Sequence, residues 1–192
     1  MQSSSRRAPP RRLLSAIPQL TCALVLLLGA RTARADVSSW VFAGGGASRL
    51  EQHAWSARTA GTMRLQMGIG SDPSHPLIFG GLFSLEPHFG YGSDLALSMR
   101  TATRGYVSGG FGLALDLGGY ERFWGPRSAG GTGTLWLGAP WGICLGAGGS
   151  LGSHEAREFS AVLGVDFARL TVYRSAGTSW FMNPFPVSRP IN

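Results

Sequence analysis

The sequence contains no lysine: all 17 of its basic residues are arginine. Charge of either sign is scarce, at 14% of 192 positions, and only four histidines and two cysteines accompany it. The formal net charge of +7 is unevenly placed, because Arg6, Arg7, Arg11, Arg12, Arg31 and Arg34 all precede the first acidic residue, Asp36. From Asp36 onward the chain is close to neutral, which excludes a nucleic-acid-binding role for the charge; such a surface needs its basic residues clustered on the folded domain. Long apolar runs are missing too. The most apolar stretch, residues 20–30, is well short of the roughly 20 residues a membrane-spanning helix requires. Past that stretch a single cysteine, Cys144, remains, so a disulfide within the mature chain is excluded.

What is present excludes two further classes. A hydrophobic share of 44%, ten Phe and six Trp argue against disorder, which needs low hydrophobicity and high charge. The 29 glycines follow no three-residue period and therefore do not describe a collagen. Residues 1–35 read as a cleaved signal peptide. Arg6 to Arg12 form a basic region, residues 20–30 an apolar core, and Ala33-Arg34-Ala35 the small-x-small cleavage pattern. The sequence thus divides into an export signal (1–35), a folded domain (36–174) and a tail rich in proline and aromatics (175–192).

The folded domain carries a period of two. Met63, Leu65, Met67 and Ile69 alternate with Thr62, Arg64, Gln66 and Gly68, and Leu113, Leu115 and Leu117 with Gly112, Ala114 and Asp116. The same alternation marks segments around Leu77–Leu85, Leu95–Met99, Leu135–Leu137, Ile143–Leu151 and Phe159–Phe167, with a less regular segment from Trp40 to Ala47. Prolines 73, 76, 87, 126 and 140 fall between segments, where a missing N–H harms no ladder. The pattern predicts about eight strands. Beyond Phe167 the apolar parity shifts, which predicts a β-bulge within residues 166–169.

The face opposite the Leu/Val/Phe/Met positions is mainly Gly, Ala and Ser, not the Thr/Lys/Glu/Gln of a solvated sheet face. Small residues suit the inside of a narrow barrel, and the apolar face then points outward, where it needs lipid. The expected fold is an all-β, antiparallel up-and-down barrel. Long connections are expected at residues 48–59 and 119–130, on the side opposite the chain termini, and short turns near residues 71–73, 102–104 and 139–140. This pattern resembles the small eight-stranded outer-membrane β-barrel proteins of Gram-negative bacteria. The resemblance implies a place in the outer membrane, contact with its lipid, and insertion by the barrel-assembly machinery. Members usually end on an aromatic residue that closes the last strand. Here the chain runs on past Tyr173, which implies an internal signal at Leu170-Thr171-Val172-Tyr173. The alternative is a secreted or periplasmic soluble barrel that holds a lipophilic molecule inside.

Chemistry-bearing motifs are few. No two histidines among His53, His75, His88 and His154 have the spacing that metal ligands favour, so neither metal nor cofactor is expected. His53 and Ser56 would lie on opposite faces of a strand and do not suit a hydrolase, and no enzymatic activity is expected. Inward parity places Arg64, Glu86, Arg100, Asp116 and Asp166 in one lumen, where burial demands a paired Arg–carboxylate network. Trp40, Tyr106, Trp124, Trp136, Trp141, Tyr173 and Trp180 fall near strand ends and are expected to form aromatic girdles at the membrane interface. A lumen filled in this way predicts a barrel closed to solutes.

Overall fold

A computed structural model describes residues 37–52 and 55–171. Residues 1–35 (the expected export signal), the tail, His53, Tyr173 and Trp180 lie outside the described residues. Eight strands follow one another in chain order: β1 (Ser38–Gln52), β2 (Trp55–Gly70), β3 (Leu77–His88), β4 (Gly92–Thr103), β5 (Gly112–Arg122), β6 (Ser128–Gly138), β7 (Ile143–Gly152) and β8 (Arg157–Asp166). Each pairs antiparallel with its neighbours, and β8 returns to β1 to close the barrel. Two short helices, α1 (Arg104–Val107) and α2 (Phe167–Thr171), and a 3-10 turn at Pro140–Gly142 complete it. Among the described residues no helix is long and apolar enough to cross a membrane.

The alternation seen in the sequence sets the two faces. Along β5, Ala114, Asp116, Tyr120 and Arg122 are buried in the lumen, while Leu113, Leu115 and Leu117 are exposed outside. One end of the barrel carries the start of β1 and the end of β8, together with connections 71–76, 104–111 and 139–142; it is called the terminal end below. The other, the hairpin end, carries connections 89–91, 123–127 and 153–156. The last of these is a tight turn with His154 and Glu155 at φ of 57° and 56°. Left-handed backbone at both central positions matches the right-handed twist of the flanking strands.

Two expectations are corrected. The long connections at 48–59 and 119–130 are largely strand: Arg49 pairs with Thr59, Leu50 with Arg58, and Glu121 with Ala129. Arg49 and Glu121 stand on outward positions of these paired strands, which outrun the apolar band, while Arg122 points into the lumen. The terminal-end connections are the longer ones. The second correction concerns the parity shift past Phe167, which is no bulge. β8 stops at Asp166, whose carboxylate accepts the backbone N–H of Ala168 (3.0 Å) and Arg169 (3.4 Å) and so starts α2.

The apolar part of the lumen gathers toward the terminal end, where Trp40, Phe42, Ile78, Leu82, Tyr106, Val107, Trp136 and Val162 touch one another. Their rings fit because glycines face them. A Cβ on Gly146 would lie 2.7 Å from the Trp136 ring, and Gly70 and Gly80 leave the space that the Trp40 ring fills. Gly46 has a different duty, since a Cβ there would run into the Ala161 carbonyl across the β1–β8 seam. Gly81, by contrast, faces open space. Gly46→Ala is therefore expected to cost about 1–3 kcal/mol by overpacking against backbone. Gly81→Ala should stay within about 0.5 kcal/mol of wild type. Urea unfolding of the refolded barrel measures both, and equal midpoints for the two variants would contradict the seam's sensitivity.

Candidate functional site: the charged lumen

Polar side chains fill the lumen in three layers, each centred on one arginine. Nearest the terminal end, Arg100 on β4 meets Asp116 on β5 through two parallel hydrogen bonds, Nε to Oδ1 and Nη2 to Oδ2, both 2.7 Å. Cross-strand pairing places these residues directly opposite each other. Gln66 accepts from Arg100 Nη2 at 3.1 Å, and the Trp136 indole donates to Asp116 Oδ2 at 2.7 Å. Rings surround the guanidinium, with Trp40 and Tyr106 centroids at 5.4 Å and that of Trp136 at 5.6 Å. Such cation–π contacts gain strength where water is excluded.

The middle layer spans the lumen. Arg64 on β2 donates through Nε to Glu86 Oε2 on β3 at 2.9 Å, and through Nη1 and Nη2 to Thr134 and Ser160 on the far wall, both at 3.0 Å. At the hairpin end Arg122 on β5 donates to Asp94 Oδ2 on β4 at 2.8 Å and to Glu158 Oε2 on β8 at 2.9 Å. Trp124 folds back over this layer. Its indole N–H donates to Asp94 Oδ1 at 2.8 Å, and its ring lies 4.5 Å from the Arg122 guanidinium. His88 completes the layer, with Nε2 3.5 Å from Asp94 Oδ2 and 3.8 Å from Glu158 Oε2.

Of the five residues assigned to the lumen from sequence, Arg64 thus meets Glu86 and Arg100 meets Asp116. Asp166 is buried but has no hydrogen bond to an arginine side chain; it caps α2, accepting the backbone N–H groups of Ala168 and Arg169, and also accepts the Val41 N–H at 3.3 Å. Five participants escaped the sequence reading: His88, Asp94, Arg122, Glu158 and Arg169. Asp94 and Arg122 sit on inward parity and pair in register, but Arg122 had been placed in a loop. Arg169 reaches from α2 into the terminal end, donating to the carbonyls of Gly110 (2.6 Å), Ala139 (3.1 Å) and Ile143 (3.2 Å) and to Cys144 Sγ (3.0 Å). No strand periodicity could have revealed a residue that enters from a helix.

The aromatic assignments need correction. Trp40, Tyr106 and Trp136 are buried inside the barrel, not on its outer surface. The alternation that turns Leu135 and Leu137 outward necessarily turns Trp136 inward, and Tyr106 is carried under the barrel by α1. Trp124 is half-buried over the lumen mouth. Trp141, 51% exposed at the terminal end, is the one described residue of that set on the outer surface.

Between the layers lie two cavities of about 20 Å³ each, one bordered by Glu86, Asp94 and Glu158, the other by Gln66, Asp116 and Thr134. Each has room for about one water. A site for a small organic ligand needs some 300 Å³. Among the described residues, Glu86, His88 and Glu158 are a group whose ligand atoms lie close enough to hold a metal ion, within 4.8 Å of one another. Comparison of the chain with protein-family models, curated proteins and solved structures finds no match.

Removing one partner of a buried pair leaves the other charge without compensation. Asp116→Asn is expected to destabilise the barrel by about 3–5 kcal/mol. The double variant Arg100→Met/Asp116→Leu should recover most of that loss, because neither charge is then left behind. Denaturant midpoints of the refolded wild type and variants check this; a double variant no better than Asp116→Asn alone would refute the pairing argument.

Proposed function

We propose that the protein is an integral outer-membrane β-barrel with an envelope-structural or surface-interaction role, neither an enzyme nor an open pore. The observation that carries this reading is inverted polarity. On adjacent positions of β4, Met99 is 69% exposed and Arg100 1% exposed. The same inversion runs around the barrel through Val41, Met67, Ile69, Phe79, Leu97, Leu117, Leu135, Leu145 and Leu163, all exposed. An apolar band of this extent would drive aggregation in water. A bilayer covers it, and closure satisfies the backbone groups that hydrocarbon could not. Toward the hairpin end the outward positions turn charged, at Arg49, Glu121 and Arg157, which marks one border of the band. At the terminal end Phe111, Trp141 and Phe167 are exposed together, as interfacial rings are at a headgroup layer.

Lipid is the partner this surface requires, with the barrel-assembly machinery acting during insertion. A soluble barrel that binds a lipophilic molecule is less well supported, because side chains fill the described lumen and the two cavities between its polar layers are water-sized. The same filling argues against conduction. Three arginine-centred layers and Arg169 stand across the route a solute would take.

Fractionation is the direct test. The protein is expected in the outer-membrane fraction after a carbonate wash, and release into the soluble fraction would refute the proposal. Leu97→Arg should cost about 2–4 kcal/mol in a lipid-embedded barrel, the expected cost near the bilayer midplane. Purified wild type should give no stepwise conductance in a planar bilayer; reproducible single-channel steps would refute the closed lumen.

A further inference from the structure

The hairpin-end layer is less completely satisfied than the other two. The His88 side chain is 0% exposed, yet neither of its ring nitrogens has a hydrogen-bond partner. Its approaches to Asp94 and Glu158 are too long to count as hydrogen bonds. Glu158, with a side chain 6% exposed, uses Oε2 for Arg122 and leaves Oε1 buried without a partner. Glu86 directs Oε2 at Arg64, while Oε1 accepts only a long bond of 3.3 Å from Thr62. Asp94 is different, for Arg122 and Trp124 occupy both of its oxygens. His88 therefore keeps both ring nitrogens and Glu158 one carboxylate oxygen without a partner, and Glu86 Oε1 is held only by the long Thr62 bond. One ligand atom of each of the three residues lies within 4.8 Å of those of the other two. We infer that Glu86, His88 and Glu158 form a binding site for one divalent transition cation of the zinc class inside the hairpin end of the barrel.

Charge and ligand chemistry point the same way. Glu86 and Asp94 stand directly opposite across β3 and β4, an arrangement that repels in a pair of strands. With Glu158 they bring three carboxyl groups, against two guanidinium groups on Arg64 and Arg122. The carboxyl group in excess invites a cation, whether a proton or a metal ion. One imidazole and two carboxylates form a nitrogen–oxygen donor set of the kind that holds zinc at three protein ligands, with a fourth position left to water. The cavity beside Glu86 and Glu158 offers about 20 Å³ for that water. Zinc–ligand bonds of about 2.0–2.2 Å require the donors to close in slightly from their present separation. Glu158 can supply that movement through the side-chain torsions that carry its uncommitted Oε1. Glu86 and His88, two residues apart on β3, already share the lumen face.

The rival account is an imidazolium, in which a proton on His88 supplies the missing charge and no metal binds. Titration of the tag-free, refolded full-length mature protein with Zn²⁺, and with Co²⁺ as a spectroscopic probe, separates the two. The expected result is one saturable equivalent, with visible Co²⁺ ligand-field bands and a Zn²⁺-dependent rise in the unfolding midpoint, as mass action requires of a ligand that binds the folded state. His88→Gln and Glu158→Gln should each weaken binding by more than about 10-fold, a loss that even hydrogen-bond partners of metal ligands can cause. His75→Gln and His154→Gln, at exposed positions, should not change it. Should the lumen variants fail to fold, paramagnetic broadening of the His88 imidazole resonance in wild type with Co²⁺ decides the question. Absence of saturable binding by the folded wild type, binding that persists in His88→Gln, or broadening confined to His75 and His154 would each overturn the site.

Discussion

Closing a sheet at eight strands leaves an interior about as wide as the side chains that fill it. The rest of this structure follows from that constraint. An inward residue meets side chains from the strands across the lumen as well as those beside it, so bulk on one strand must be answered by its absence on another. Trp136 lies over Gly146, and Trp40 over Gly70 and Gly80. Charge obeys the same rule more severely, because an unpaired ion in so dry a space costs several kcal/mol even after relaxation. Each arginine of the three layers accordingly has a carboxylate on an adjoining strand, at Glu86 for Arg64, Asp116 for Arg100 and Asp94 for Arg122.

The two ends of the barrel meet the constraint differently. At the terminal end, α1 and α2 fold beneath the strands, and Arg169 commits its two Nη groups to three carbonyls and a sulfur. No carboxylate takes part, since carbonyl dipoles at the ends of strands and turns disperse the charge. Asp166, close by in the chain, is spent on backbone N–H groups that begin α2. Among the described residues no helix seals the hairpin end. Trp124 alone covers the lumen there among the described residues of its connection, and the polar groups below it include the unsatisfied nitrogens of His88. One end is closed by backbone, the other by side chains with polar capacity left over.

How much of this was legible in the sequence depends on whether a feature obeys the strand period. The strand number, the outward apolar face and the inward place of Arg64, Glu86, Arg100 and Asp116 all follow from counting by twos. Trp136 follows from it as well: its place near a strand end suggests the interface, but its parity with Leu135 and Leu137 turns the ring inward. Glu121 and Arg122 fall inside the connection expected over 119–130, although β5 runs through both. Glu86 and His88 have the spacing that puts two ligands on one strand face, yet a search among histidine pairs alone passes over them. Tyr106 and Arg169 were beyond reach. They enter the lumen from α1 and α2, and neither short helix has a periodicity long enough to read.

The use of arginine and not lysine inside the barrel finds a physical reason in the same narrow lumen. A lysine ammonium is a compact point charge that donates in three directions and holds its hydration tightly, so burial costs it more. A guanidinium is flat. It can bind a carboxylate edge-on through two parallel bonds while its faces rest against aromatic rings. Arg100 does both at once, between Asp116 and the rings of Trp40, Tyr106 and Trp136. Arg64 lies 5.8 Å from the Trp136 ring, Arg122 4.5 Å from Trp124, and Arg169 4.6 Å from Tyr106. Every arginine of the lumen is thus hydrogen-bonded along part of its edge and covered on a face. In a space one side chain wide, replacing any of them with lysine would give up the second bond and the stacking together. The rings that seemed suited to a membrane interface serve instead as the walls against which the lumen's positive charge is held.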